Sequence, residues 1–173
     1  MPSSRLPGSR ATKALQASST TDRLDKLDRA ILRELQRDGR LTNVDLARRV
    51  GLSPSPCLRR VKSLEDRGYI ARYAALLDPQ RLGRSLRVVV MVSLTDQRQE
   101  TLRAFEEAIL AVPEVTVCSL IAGDADYLVS VVARDLDAYH RLFTERLGEL
   151  PGVVSMRSLV TMKTVKNTHE LPV

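Results

Sequence analysis

The sequence predicts an α+β chain in two parts, a winged-type helix-turn-helix unit followed by a ferredoxin-like, ACT-like βαββαβ unit. Three observations carry this expectation. Apolar residues recur at spacings of three and four as far as Gly68, and beyond Gly83 the pattern changes to short apolar runs alternating with helical stripes. Charge divides the same way: residues 23–84 hold fifteen basic side chains against eight acidic (+7), whereas residues 85–173 hold nine against twelve (−3). Finally, Val112-Pro113-Glu114-Val115 and Leu150-Pro151-Gly152-Val153 each join a predicted helix to the next strand, an internal repeat.

Residues 1–22 are rich in Ser, Thr, Gly and Pro, with Leu6 and Leu15 as the only large apolar side chains, and read as a mobile extension. Residues 23–69 read as the helical unit. Leu24, Leu27, Ile31 and Leu35 form its first stripe, with Gly39 expected as a left-handed cap. Thr42, three residues before Asp45, starts a short second helix that carries Val44, Ala47 and Val50 and closes at Gly51. Ser53 caps the third. Pro54 sits at its first position, and Pro56 leaves the Ser55 N–H as the expected partner of the Ser53 hydroxyl. This helix should run to about Arg67 with Gly68 as its cap, burying Leu58, Val61 and Leu64 and turning Arg59 and Ser63 outward, with Arg60 and Lys62 on the flanks.

Residues 70–85 read as a linker in which a strand, Tyr69 to Leu77, leads to a turn from Asp78-Pro79 to Gly83. Residues 86–173 then supply strands at Leu86 to Leu94, Val115 to Ala122, Tyr127 to Ala133 and Val153 to Val165. The helical stripes between them are Leu102, Phe105, Ile109, Val112 and Leu136, Tyr139, Phe143, Leu147. Two helices cover one face of such a sheet. Yet Val88, Val90 and Val92 alternate with Val89 and Met91, so the other face is apolar too and calls for a cover, for which a second copy of the domain is the simplest candidate.

Composition narrows the function. Apolar content of 43% suits a globular protein, the longest apolar run is far too short to span a bilayer, and no secretion signal opens the chain, so the cytoplasm is the expected compartment and no membrane partner is expected. Two cysteines (Cys57, Cys118) and two histidines (His140, His169) assemble neither a disulfide framework nor a zinc site. No nucleophile with a neighbouring base and no phosphate loop appear, which argues against an enzyme, and no cofactor is expected.

A basic trihelical segment with a tight Gly51-Leu52-Ser53 connection suits double-stranded DNA, the third helix entering the major groove. Ser53 starts that helix. Ser55, Pro56, Arg59, Arg60 and Ser63 are placed at base edges, Lys62 with Arg48 or Arg49 on phosphates, and Thr42 at a phosphate through the free N–H groups of the second helix. A protein-binding trihelical module is the alternative, disfavoured by the charge.

These residues carry a resemblance. The run from Leu24 to Gly68, centred on Leu52-Ser53-Pro54-Ser55-Pro56-Cys57-Leu58-Arg59-Arg60-Val61, resembles the DNA-binding domain of the Lrp/AsnC (leucine-responsive/asparagine-responsive) transcription regulators. Leu77-Asp78-Pro79 with Leu82-Gly83 resembles that family's linker, Gly123-Asp124-Ala125-Asp126-Tyr127 its loop between the middle strands, and Met162-Lys163-Thr164-Val165-Lys166 its last strand. The resemblance implies a homodimer assembling into a tetramer or octamer. It further implies DNA binding, or an oligomeric state, that responds to a small amino acid lodged between dimers, in control of amino-acid metabolism. On that basis Asp124 and Asp126 would meet the ammonium, Gly123 and Ala125 would allow close backbone approach, and Leu136, Leu159 and Val160 would line the side-chain pocket. Sirohaem decarboxylases resemble the same family, but they need a haem-sized pocket with histidine and basic side chains. A DNA-bending protein indifferent to ligands would share every residue named so far.

Overall fold

The computed structural model describes residues 23–173 and divides them into two compact units, one of residues 23–74 with 168–173, the other of residues 75–167. The expectation for residues 1–22 lies outside the described residues.

Three helices build the first unit: α1 (Lys26–Arg37), α2 (Asn43–Val50) and α3 (Pro54–Asp66). Helix α1 starts in a reciprocal capping box, the Asp25 carboxylate accepting from the Asp28 N–H at 2.7 Å while the Asp28 carboxylate accepts from the Asp25 N–H. It ends at Asp38 in extended conformation and not at a left-handed Gly39, because the Asp38 carboxylate takes the Arg40 N–H at 2.9 Å and turns the chain locally. Thr42 caps α2 as expected, and Gly51, at φ 71°, supplies the left-handed turn into α3. The core of this unit is Ile31, Leu32, Leu46, Ala47, Cys57 and Leu64, and burial pushes the Cys57 thiol pKa up.

Two expectations for α3 are corrected. Its core-facing line is Cys57, Val61, Leu64, at spacings of four and three, with Cys57 and Leu64 buried and Val61 half-buried, and Leu58 lies outward at 46% exposure. A strict three-residue spacing drifts about 60° per step around a helix, so Leu58 and Leu64 cannot share one face. The Ser53 hydroxyl makes no capping bond, for prolines occupy two of the three opening positions, and the first tie is Cys57 N–H to Ser53 carbonyl at 3.2 Å.

The segment Tyr69 to Leu77 forms no strand, because no neighbouring strand among the described residues offers it a ladder; the turn to Gly83 forms as expected. The second unit follows as β1 (Leu86–Leu94), α4 (Gln99–Leu110), β2 (Val115–Leu120), β3 (Tyr127–Ala133), α5 (Leu136–Leu142) and β4 (Val153–Val160), with a π-helical turn over Phe143–Leu147 extending α5. The antiparallel sheet has the order β2-β3-β1-β4, which is the ferredoxin-like arrangement. Its core packs Val88, Val90, Val92, Tyr127, Val129 and Val131 under Phe105, Ile109, Tyr139 and Leu142. Gly152, at φ 76°, is also required sterically, since a Cβ there would meet Thr101 at 2.7 Å. Strand β4 stops at Val160, with the Thr161 N–H still bonded to the Arg87 carbonyl at 3.0 Å, short of the expected Val165, whose partner in this register would lie ahead of β1 in the turn at Gly83. The last six residues, expected with this domain, belong to the first unit and lie on α1. There Gln36 exchanges two hydrogen bonds with the Leu171 backbone (2.6 and 3.1 Å), Arg33 donates to the Val173 carbonyl, and Val173 packs on the helical core.

Candidate functional site

The outward face of α3 is the first candidate. Ser55, Leu58, Arg59 and Lys62 stand at the one-turn spacings of a helix and, with Asp66, border a shallow groove of about 560 Å³. Ser63 also lines it but is half buried, and Pro56 is half buried outside it. Arg59 and Lys62 are both exposed.

Arg60 is a correction. Its guanidinium donates to Asp25 and to Asp28 on α1, each at 2.7 Å, and Arg67 lies 3.9 Å from the same Asp28. Hydrogen bonds donated to these two carboxylates hold Arg60 more firmly protonated than an ordinary guanidinium. The side chain expected at a base edge therefore fixes α3 against α1. Arg49 is similarly engaged, donating to Glu34 at 3.0 Å, while Arg48 donates to Asp45 on its own helix at 3.3 Å and stays 75% exposed. Thr42 spends its hydroxyl on Asp45, accepting from the Asp45 N–H and donating to its carboxylate. Sequence reasoning missed Asn43, whose amide donates to the Pro54 carbonyl at 2.8 Å and fixes the entry into α3. An Asn at the first position of α2, eleven residues before Pro54, is a weak signal for such a clamp.

The second candidate is the set expected to hold an amino acid. Gly123, Asp124, Ala125 and Asp126 make the β2–β3 connection, with Asp124 exposed and Ala125 buried. Asp126 is committed to the fold, its carboxylate accepting from the Leu94 N–H and from the Gln97 amide, each at 2.8 Å, and its own N–H bonding the Val92 carbonyl. Leu159 and Val160 pair with Val89 and Val88. They lie five or six residues back along β1 from Leu94, about 17–20 Å at the rise of an antiparallel strand. Being consecutive on β4 they also point to opposite faces, Val160 toward the helices and Leu159 to the open face. One chain therefore does not gather these residues around one ligand. Leu136 instead borders a depression of about 380 Å³ beside α5, lined also by Asp137, His140, Phe143 and the hydrogen-bonded pair Tyr139–Ser158.

The open face of the sheet presents Val89 and Met91, flanked by Leu128 and Val132 on β3, Val117 on β2 and Leu159 on β4. Arg157 lies there too, with a guanidinium N–H 3.0 Å from the Met91 sulfur. No helix of the described residues is long and apolar enough to cross a membrane.

Comparison with known proteins places both units. Residues 24–71 match a winged helix-turn-helix DNA-binding domain and residues 87–171 the Lrp/AsnC ligand binding domain. Leucine-responsive regulatory proteins of Escherichia coli K12 and Klebsiella pneumoniae are 45% identical over 148 residues, spanning 86% of this chain and 90% of theirs. Among solved structures, a transcriptional regulator from Neisseria meningitidis in complex with L-Met has a TM-score of 0.83 at 40% identity, covering 87% of this chain and 97% of that one. An AsnC family transcriptional regulator from Agrobacterium tumefaciens has a TM-score of 0.82 at 38% identity, covering 86% and 97%.

Proposed function

Because the chain belongs to the Lrp/AsnC family of transcription regulators, and is itself an amino-acid-responsive, DNA-binding regulator and not an enzyme, we propose how its residues divide that work. Helix α3 enters the major groove, Arg59 donates two hydrogen bonds to a guanine edge, Ser55 reads beside it, and Lys62 and Arg48 neutralise phosphates. The observation that carries this reading is the outward face of α3, where two exposed cations border a groove on the most basic part of the chain.

The open apolar face of the sheet pairs with a second copy of the domain, which brings two recognition helices to half-sites about one helical turn, or a multiple of it, apart. The effector is a small amino acid, as in the L-Met complex of the Neisseria meningitidis relative. Asp124 meets its ammonium. Since Leu159 and Val160 lie at the far end of β1, the apolar part of the pocket comes from another copy. A tetramer or octamer, and control of amino-acid metabolism, complete the proposal.

The test is Arg59→Ala, measured on a selected binding site and on random duplex DNA. Loss of about 1–3 kcal/mol confined to the specific site supports the reading. Equal loss on both reduces Arg59 to a phosphate contact.

A further inference from the structure

Leu58 occupies a place that folding does not explain. The underside of α3 is filled by Cys57, Val61 and Leu64 against Ile31, Leu46 and Ala47, and Leu58 contributes nothing to that cluster. It stands at 46% exposure one turn after Ser55, with Arg59 beside it and Lys62 one turn beyond. A charged or polar residue at this position would leave the helical core intact. Scattered exposed leucines are ordinary, but this one lies inside a cationic groove on the helix that meets DNA, near its N-terminal end, where base edges are reached. Arg59 and Lys62 favour a negatively charged partner such as the DNA duplex, and on the major-groove edges of that duplex the one apolar group on offer is the C5-methyl of thymine.

We infer that Leu58 is a specificity-determining residue that packs on a thymine methyl close to the base pair read by Arg59. The inference rests on the assignment of α3 as the recognition helix and adds to it a second kind of readout, apolar where Arg59 is polar. Such a contact discriminates thymine from cytosine, and equally from uracil, which differs from thymine by that methyl alone.

The experiment uses the full chain and a duplex site selected from a random pool. Each thymine is replaced in turn by deoxyuridine, and affinity is followed by fluorescence anisotropy for the parent, Leu58→Ala and Leu58→Met. The expected result is one thymine per half-site whose conversion weakens the parent about fourfold, the effect of withdrawing one methyl-sized group from an apolar contact. Leu58→Ala then binds thymine and uracil sites alike with an unchanged melting temperature, while Leu58→Met keeps the discrimination. A parent that binds its site with no methyl-sensitive position, or a Leu58→Ala variant that keeps the parent's sensitivity, overturns the inference and leaves the recognition helix in place. A parent that shows no affinity for any duplex overturns both.

Discussion

The guanidinium of Arg60 on α3 and the carboxylate of Asp28 on α1 lie 2.7 Å apart, and Asp28, at 6% exposure, is the one buried charged residue among those described. The seat of α3 is thus set by a charged strut as well as by apolar packing. Truncating Arg60 leaves the buried Asp28 carboxylate with the more distant Arg67 as its remaining cation, and the desolvation of that carboxylate is then less well offset. Arg60→Ala should therefore destabilise the helical unit by about 1–3 kcal/mol, seen as a lower denaturant midpoint. Affinity for specific and random DNA should fall together once corrected for folded fraction. A stable Arg60→Ala protein with relaxed base preference would return Arg60 to the DNA.

The two loop carboxylates should separate experimentally. Asp124 is exposed, whereas Asp126 holds the Leu94 N–H and the Gln97 amide. Asp124→Ala is expected to blunt the response of DNA binding to an amino-acid effector at unchanged melting temperature. Asp126→Ala is expected to lower stability by about 1–3 kcal/mol through the orphaned Leu94 N–H, whatever it does to the response. A thermal-shift screen of the twenty amino acids supplies the effector for this comparison, because a ligand that prefers the folded form raises its melting temperature.

Acid should loosen the start of α1. Acceptance of the Asp28 N–H, joined by the Arg60 guanidinium, holds the Asp25 carboxyl below the usual carboxylate range. A folded-state pKa below the unfolded value adds stability that is fully present above ordinary carboxylate pKa values and is lost as pH falls through the folded one. Asp25→Ala should flatten the acid limb of the stability curve below about pH 4, in chemical denaturation run at several pH values. An acid limb identical to the parent's would exclude Asp25 as its source.

Removal of residues 168–173 should be felt in the helical unit. It deletes the Gln36–Leu171 pair of hydrogen bonds and uncovers the apolar surface under Val173. These bonds are exposed, so a loss of about 1 kcal/mol is expected, read as faster amide exchange in α1. Gln36→Ala should reproduce part of it, and unchanged exchange in both variants would show the tail to be passive.

Local chemistry made most of the elements legible. The Thr42–Asp45 cap, Gly51 and the strands Leu86 to Leu94 and Tyr127 to Ala133 are each specified within a few residues of themselves. Errors arose where a distant partner decides. Whether Tyr69 to Leu77 becomes a strand depends on another strand, and where β4 ends depends on how far β1 extends. Arg60 looked like a DNA contact because its partners, Asp25 and Asp28, lie more than thirty residues away in sequence. The amino-acid set does not converge within one chain for a related reason: register along β1, which no local motif encodes, puts its two halves at opposite ends of the strand.

The tail on α1 alters what a cut or a fusion would do. Because the polypeptide leaves the helical unit after Ala74 and re-enters it at Thr168, the sheet domain is topologically an insertion, tethered at both ends. A single protease nick in either tether would separate nothing until the clasp at Gln36 also let go. An affinity handle appended after Val173 would emerge beside α1 and compete with that clasp, and a recombinant fragment ending at Ala74 would be missing part of its own surface.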